Sequence, residues 1–70
     1  MEIIPGIYEH YKGGRYKVIA CGKMEATQEE VVVYEALYDN PVSQIWVRPA
    51  KEFAEEVSWQ GNTLQRFKKV

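Results

Sequence analysis

The sequence predicts a mainly β fold, antiparallel and strongly curved, with one short helix late in the chain. Three observations lead there. Runs rich in Val, Ile and Tyr alternate over short spans. Turn-forming clusters, Gly13-Gly14, Asp39-Asn40-Pro41 and Gln60-Gly61-Asn62, separate them. Helical periodicity occurs in one stretch only, after Arg48.

The first strand runs from Ile7 to Tyr11 and ends at Lys12-Gly13-Gly14. A Gly-Gly pair between two β-rich runs signals a tight turn, because glycine accepts positive φ without a steric cost. The second strand covers about Tyr16 to Met24, with Tyr16, Val18, Ala20, Gly22 and Met24 on one face and Lys17, Ile19, Cys21 and Lys23 on a wetter one. A polar loop, Glu25 to Glu30, leads to Val31-Val32-Val33. This continuously apolar, β-branched run reads as a central strand covered in part on both sides. Val31, Val33, Glu35 and Leu37 alternate with Val32, Tyr34, Ala36 and Tyr38, so Glu35 is a polar intruder on its face. A fourth strand follows from about Gln44 to Arg48. Pro49 suits a first helical position. Ala50, Phe53, Ala54 and Val57 then line one face of a two-turn helix that closes one end of the sheet. A turn at Trp59 to Asn62 and a short last strand, Thr63 to Phe67, complete the chain.

Seventy residues predict one domain, residues 1–70. A chain of this size buries only about 60% of the surface that its unfolded form exposes, so its stability margin is thin. A sheet curled into a closed or half-closed barrel hides its edges and shares one core among few residues, which makes an SH3-like barrel of about five strands the simplest architecture. An open sheet with the helix packed on one face is the alternative. Aromatic side chains, 13% of the chain, are expected to fill the centre.

Nine basic and ten acidic residues give a formal charge of −1. That balance argues against a global field for nucleic acid. The dense basic group, Arg66 to Val70, reads as a solvated tail. A lone cysteine, Cys21, rules out an internal disulfide and fits a reducing cytoplasm. Its mid-strand position reads as a small, half-buried apolar residue. No leader and no apolar run long enough to span a membrane is visible, so membrane association is not expected.

Several residues invite a chemical reading. His10 titrates near neutrality, but a zinc site needs three or four ligands. Besides His10 and Cys21, only scattered carboxylates are present, without ligand spacing, so neither a metal nor a cofactor is expected. Gly13-Gly14-Arg15 lacks the frame of a phosphate-binding loop. Glu35 reads as a partner for Lys17 or Arg48 across the sheet, and Arg48 and Arg66 as structural ion-pair donors or as partner contacts.

The blocks GIYEHYKGGRYKV, EEVVVYEALYDN, IWVRPAKEFAEEV and LQRF resemble, in order and spacing, a small bacterial family, domain of unknown function 1653, over about Gly6 to Phe67. The matching positions are Tyr8, His10, Tyr11, Lys12 and Gly13, then Val33, Tyr34, Leu37 and Tyr38. Trp46, Val47, Arg48, Pro49 and Phe53 follow, with Arg66 and Phe67 last. The resemblance implies an SH3-type barrel and no established activity. Where family members often carry a histidine and then a glutamate, this chain has Met24 and Ala26.

The functional expectation is a non-catalytic binding module. Tyr8, His10, Tyr34, Trp46 and Arg48 are expected to converge on one aromatic and basic patch that takes a protein segment or a small ligand. Two alternatives are carried: a single-stranded nucleic-acid binder that stacks bases on the rings, and a small enzyme using His10 with a nearby carboxylate. Edge-strand pairing into a homodimer stays open.

Overall fold

The computed structural model describes residues 3–70. Strands β1 (Gly6–His10), β2 (Arg15–Lys23), β3 (Glu30–Ala36) and β4 (Ile45–Pro49) precede a single helical turn, α1 (Ala50–Phe53). Strands β5 (Glu56–Trp59), β6 (Asn62–Gln65) and β7 (Phe67–Lys69) follow. The main sheet has the order β4-β3-β2-β1-β7, and every ladder in it is antiparallel. β5 and β6 form a separate hairpin. The mainly β character and the short helix after the fourth strand are as expected, with seven strands instead of about five.

The main sheet does not close into a barrel, because its edges, β4 and β7, share no ladder. It is nevertheless strongly curled. β7 and β3 are separated by β1 and β2, so a flat sheet would hold them about 14 Å apart, three strand spacings of about 4.8 Å. Yet the Phe67 ring on β7 lies 5.3 Å, centroid to centroid, from Tyr34 on β3. The concave face therefore folds over its own side chains. Tyr8, Val18, Val32, Tyr34, Phe53 and Phe67 pack there as one core, with Ala50 beside them. Phe53, carried by α1, stacks on Phe67 with centroids 4.2 Å apart and also meets Tyr8 and Tyr34 edge-on. A four-residue helix is too short to be stable alone; α1 is held by this ring.

Five expectations are corrected. In β2 the register shifts between Val18 and Ala20, a β-bulge. Before it, Tyr16 and Val18 face the core. After it, the faces exchange, and Cys21 and Lys23 come onto the concave side, opposite Val32 and Glu30. Cys21 is exposed, not half-buried. The helix is one turn instead of two, because Glu56 and Val57 leave it for β5, where they pair with Gln65 and Leu64. Residues 63–67 are not one strand: Arg66 breaks β6 from β7, and its N–H donates to the Glu55 carbonyl while its own carbonyl accepts from the Tyr11 N–H. Finally, the basic C-terminus is an edge strand and not a loose tail: Phe67, Lys68 and Lys69 pair with His10, Glu9 and Tyr8. Lysines on a short edge strand discourage further strand addition.

Two turns set the geometry. The hairpin β5–β6 closes through Gln60 (φ 52°) and Gly61 (φ 81°), the two consecutive positive φ values of a tight two-residue turn. The β1–β2 connection places Gly13 and Gly14 at φ 98° and 83°, and the His10 N–H donates to the Gly14 carbonyl. A Cβ at Gly14 would sit 3.1 Å from Tyr38 Cε1. Gly14→Ala is therefore expected to cost about 1–2 kcal/mol, from backbone strain plus crowding. Gly22→Ala, with open space around it and no positive φ, is expected to leave stability unchanged or slightly raised. Urea denaturation of the two variants side by side checks this.

Candidate binding face

Antiparallel partners share a face, so the register decides which side chains meet. Tyr8 pairs with Tyr16, Val18 with Tyr34, and Tyr34 with Trp46. Val32, in the core, pairs with Arg48, and His10 pairs with Phe67. All five expected site residues, Tyr8, His10, Tyr34, Trp46 and Arg48, thus stand on the concave face. They are not equally available there. Tyr8 and Tyr34 are buried, at 8% and 5% exposure, and form a floor. His10, Trp46 and Arg48 are half-buried and stand above it.

The face is polar at one end. Arg48 Nε donates to the Tyr34 hydroxyl at 3.4 Å, and Arg48 Nη1 lies 3.4 Å from Glu52 Oε1. Arg66 is held more firmly: Nε donates to the Glu52 carbonyl at 3.1 Å and Nη2 to Glu55 Oε1 at 2.9 Å. Both guanidiniums thus flank Glu52, one at its carboxylate and one at its backbone. Trp46 packs on the core, and its Nε1–H is buried without an acceptor among the described residues. The Tyr16 and Tyr38 hydroxyls are hydrogen-bonded to each other. Burial, followed by that hydrogen bond, pushes the Tyr16 phenol up to about 12.

The expected site left out Tyr16 and Tyr38, and Arg66, read as an ion-pair donor or a partner contact, pairs with Glu55 beside the face. A usable signal existed for Tyr16: it lies two residues beyond the Gly-Gly turn, which puts it across from Tyr8. Glu35, the intruder, sits on the convex side opposite Lys17 in the register, while Arg48, its other expected partner, pairs with Glu52 instead.

His10 occupies the junction. Its ring meets Phe67 edge-on at 5.0 Å and lies against Tyr11 at 4.6 Å. Nδ1 accepts the Lys12 backbone N–H at 3.2 Å, so the neutral ring carries its proton on Nε2. Burial, then the charges of Arg48, Arg66 and Lys12, hold the imidazole below its ordinary value of 6.5. The sign of the linkage follows: the unfolded chain binds the His10 proton more readily than the folded one. His10 thus contributes stability above pH 6.5 that is lost as pH falls through its folded value. Thermal melts at about pH 7 and about pH 5 are expected to show a smaller drop for His10→Gln than for the wild type. A second surface also involves His10. A groove of about 540 Å³ runs between Glu9, His10, Tyr11 and Gly13 on one side and Thr63, Leu64 and Gln65 on the other, with Lys68 beside them. Tyr11 also meets the Trp59 ring edge-on at 5.4 Å, with the Lys12 ammonium 5.4 Å from the Trp59 ring.

Among the described residues, no three His, Cys, Asp or Glu side chains gather in a metal-holding group, and no helix is long and apolar enough to cross a membrane. Comparison with known families matches residues 6–69 to Protein of unknown function (DUF1653). The chain belongs to the DUF1653 family. A crystal structure of a DUF1653 protein from Bordetella bronchiseptica is 32% identical and superposes with a TM-score of 0.93, over 99% of this chain and 88% of that one. No curated protein matches this sequence. The resemblance read from the four sequence blocks is therefore correct, and the DUF1653 match extends two residues past Phe67, to the end of β7.

Proposed function

We propose that this DUF1653 chain is a small, non-catalytic binding module of the cytoplasm, a half-open relative of the SH3-type barrel. It recognises a protein segment or a small ligand through His10, Trp46 and Arg48, standing on a floor of Tyr8 and Tyr34. One observation carries this reading: a single concave face gathers all five residues while leaving hydrogen-bonding capacity unused at its open end. Among the described residues the Arg48 side chain makes only two polar contacts, both at 3.4 Å, and the buried Trp46 indole N–H makes none. A guanidinium built only for stability is expected to be held closer, as Arg66 is. An acid–base role for His10 has less support, because the charges acting on its ring are cationic. The exposed free thiol of Cys21 fits a reducing compartment.

The test is parallel affinity capture from native lysate with wild type, Arg48→Ala and a convex-face control, Lys17→Ala, after spectroscopy confirms that each is folded. The expected result is a partner retained by wild type and Lys17→Ala and lost by Arg48→Ala. Equal retention by all three would remove the concave face from consideration. Loss of the captured partner in RNase- or DNase-treated lysate would point to nucleic acid instead.

A further inference from the structure

Resting on that reading of the concave face, we infer that the ligand presents a single carboxylate, which takes the place of Glu52 on Arg48. The first support is the arrangement around Glu52. The structure already seats a carboxylate beside Arg48, but loosely: the contact is 3.4 Å, and the Glu52 side chain is 46% exposed. It is an internal carboxylate that an incoming one can displace without breaking a short bond. A guanidinium presents a planar fork of donors that matches a planar carboxylate in bidentate fashion, and the Glu52 contact uses only Nη1.

The second support is donor chemistry. Trp46 Nε1–H, on the same face of β4 as Arg48, is a buried donor with no acceptor among the described residues. Such groups are rare because each costs the desolvation of an unmade bond. An oxyanion brought to Arg48 places acceptor atoms beside this strand face.

The test titrates the full chain, labelled with nitrogen-15, with four probes at matched ionic strength. These are the peptide acetyl-Ala-Glu-Ala-amide, its glutamine and phosphoserine counterparts, and acetate. The indole N–H of Trp46 and the Nε–H of Arg48 are followed. The glutamate peptide is expected to shift both in a saturable way, and the glutamine and phosphoserine peptides at least tenfold more weakly. Acetate matching the glutamate peptide would identify a free carboxylate as sufficient; acetate binding more weakly would identify an acidic chain segment. Arg48→Lys, which keeps the charge and the fold but loses the fork, is expected to weaken binding about tenfold. Glu52→Gln is expected to tighten it several-fold. Equal shifts from the glutamine peptide overturn the carboxylate preference while leaving a binding face in place. Equal or stronger shifts from the phosphoserine peptide overturn it in favour of phosphate. Shifts from no probe overturn it outright, and the capture experiment then judges the binding face independently.

Discussion

Phe67→Ala is expected to remove most of the stability of this protein. The ring is 6% exposed, stacks on Phe53, and meets Tyr34, Tyr16 and His10 edge-on. Truncating a buried phenylalanine costs about 3–5 kcal/mol, the lost transfer free energy plus the cavity left behind. A chain of this length is stabilised by only about 4–10 kcal/mol in total. The loss is larger in consequence than its size, since β7 has three residues and only one of them, Phe67, is buried. Without it, pairing with β1 rests on backbone bonds at a lysine-rich edge. Thermal denaturation is expected to show a midpoint tens of degrees lower, at about 4–8 °C per kcal/mol for a domain of this size. A drop of only a few degrees would mean that the edge strand is not anchored by this ring. A double-mutant cycle with Phe53→Ala is expected to show a coupling of about 1 kcal/mol, the range measured for aromatic pairs.

Tyr34 joins the core to the proposed binding face within one residue. Tyr34→Ala is expected to cost about 3–5 kcal/mol, because its ring is buried against Tyr16, Phe53 and Phe67. Tyr34→Phe keeps every ring contact and deletes only a hydroxyl that accepts from Arg48 at 3.4 Å. A long neutral-acceptor bond of this kind contributes about 1 kcal/mol or less, so the phenylalanine variant is expected to melt within a few degrees of wild type. Its effect belongs to the ligand: Arg48 loses one of its two anchors, and binding by the concave face is expected to weaken while the fold stands. Chemical denaturation of both variants, with capture of the wild-type partner by Tyr34→Phe, checks the two halves separately. A large stability loss for the phenylalanine variant would place the hydroxyl in a structural role instead.

Much of this fold was legible in the sequence because the period-2 pattern and the turn chemistry agree. Gly13-Gly14 marks the first hairpin, and the Val31-Val33 run marks the strand paired on both sides. The pattern in the first strand, with Tyr8 and His10 on one face, carries directly to the concave surface. The missing parts have local causes. A bulge is one extra residue counted against a partner strand, and nothing in the alternation of β2 alone records it. Cys21 and Lys23 were consequently assigned to the wrong side. The helical spacing of Ala50, Phe53, Ala54 and Val57 is real, but two turns of helix are marginal. Pairing of Val57 with Leu64 in the β5–β6 hairpin takes the second turn. Phe67 and the lysines after it look like a basic tail until the curl of the sheet brings that ring onto Tyr34. The membership of the candidate face was half visible: its five expected residues share a face, but that two of them are floor and three are rim depends on curvature, which no strand encodes alone.

The most direct measurement is the footprint of the captured partner on the nitrogen-15 spectrum of the labelled protein. Shifts concentrated at the Trp46 indole, the Arg48 side chain and the backbone of His10, with Ile7, Lys17, Ile45 and Val47 unmoved, are the predicted result. Shifts confined to those four convex positions would contradict it and place the working surface on the opposite side of the sheet.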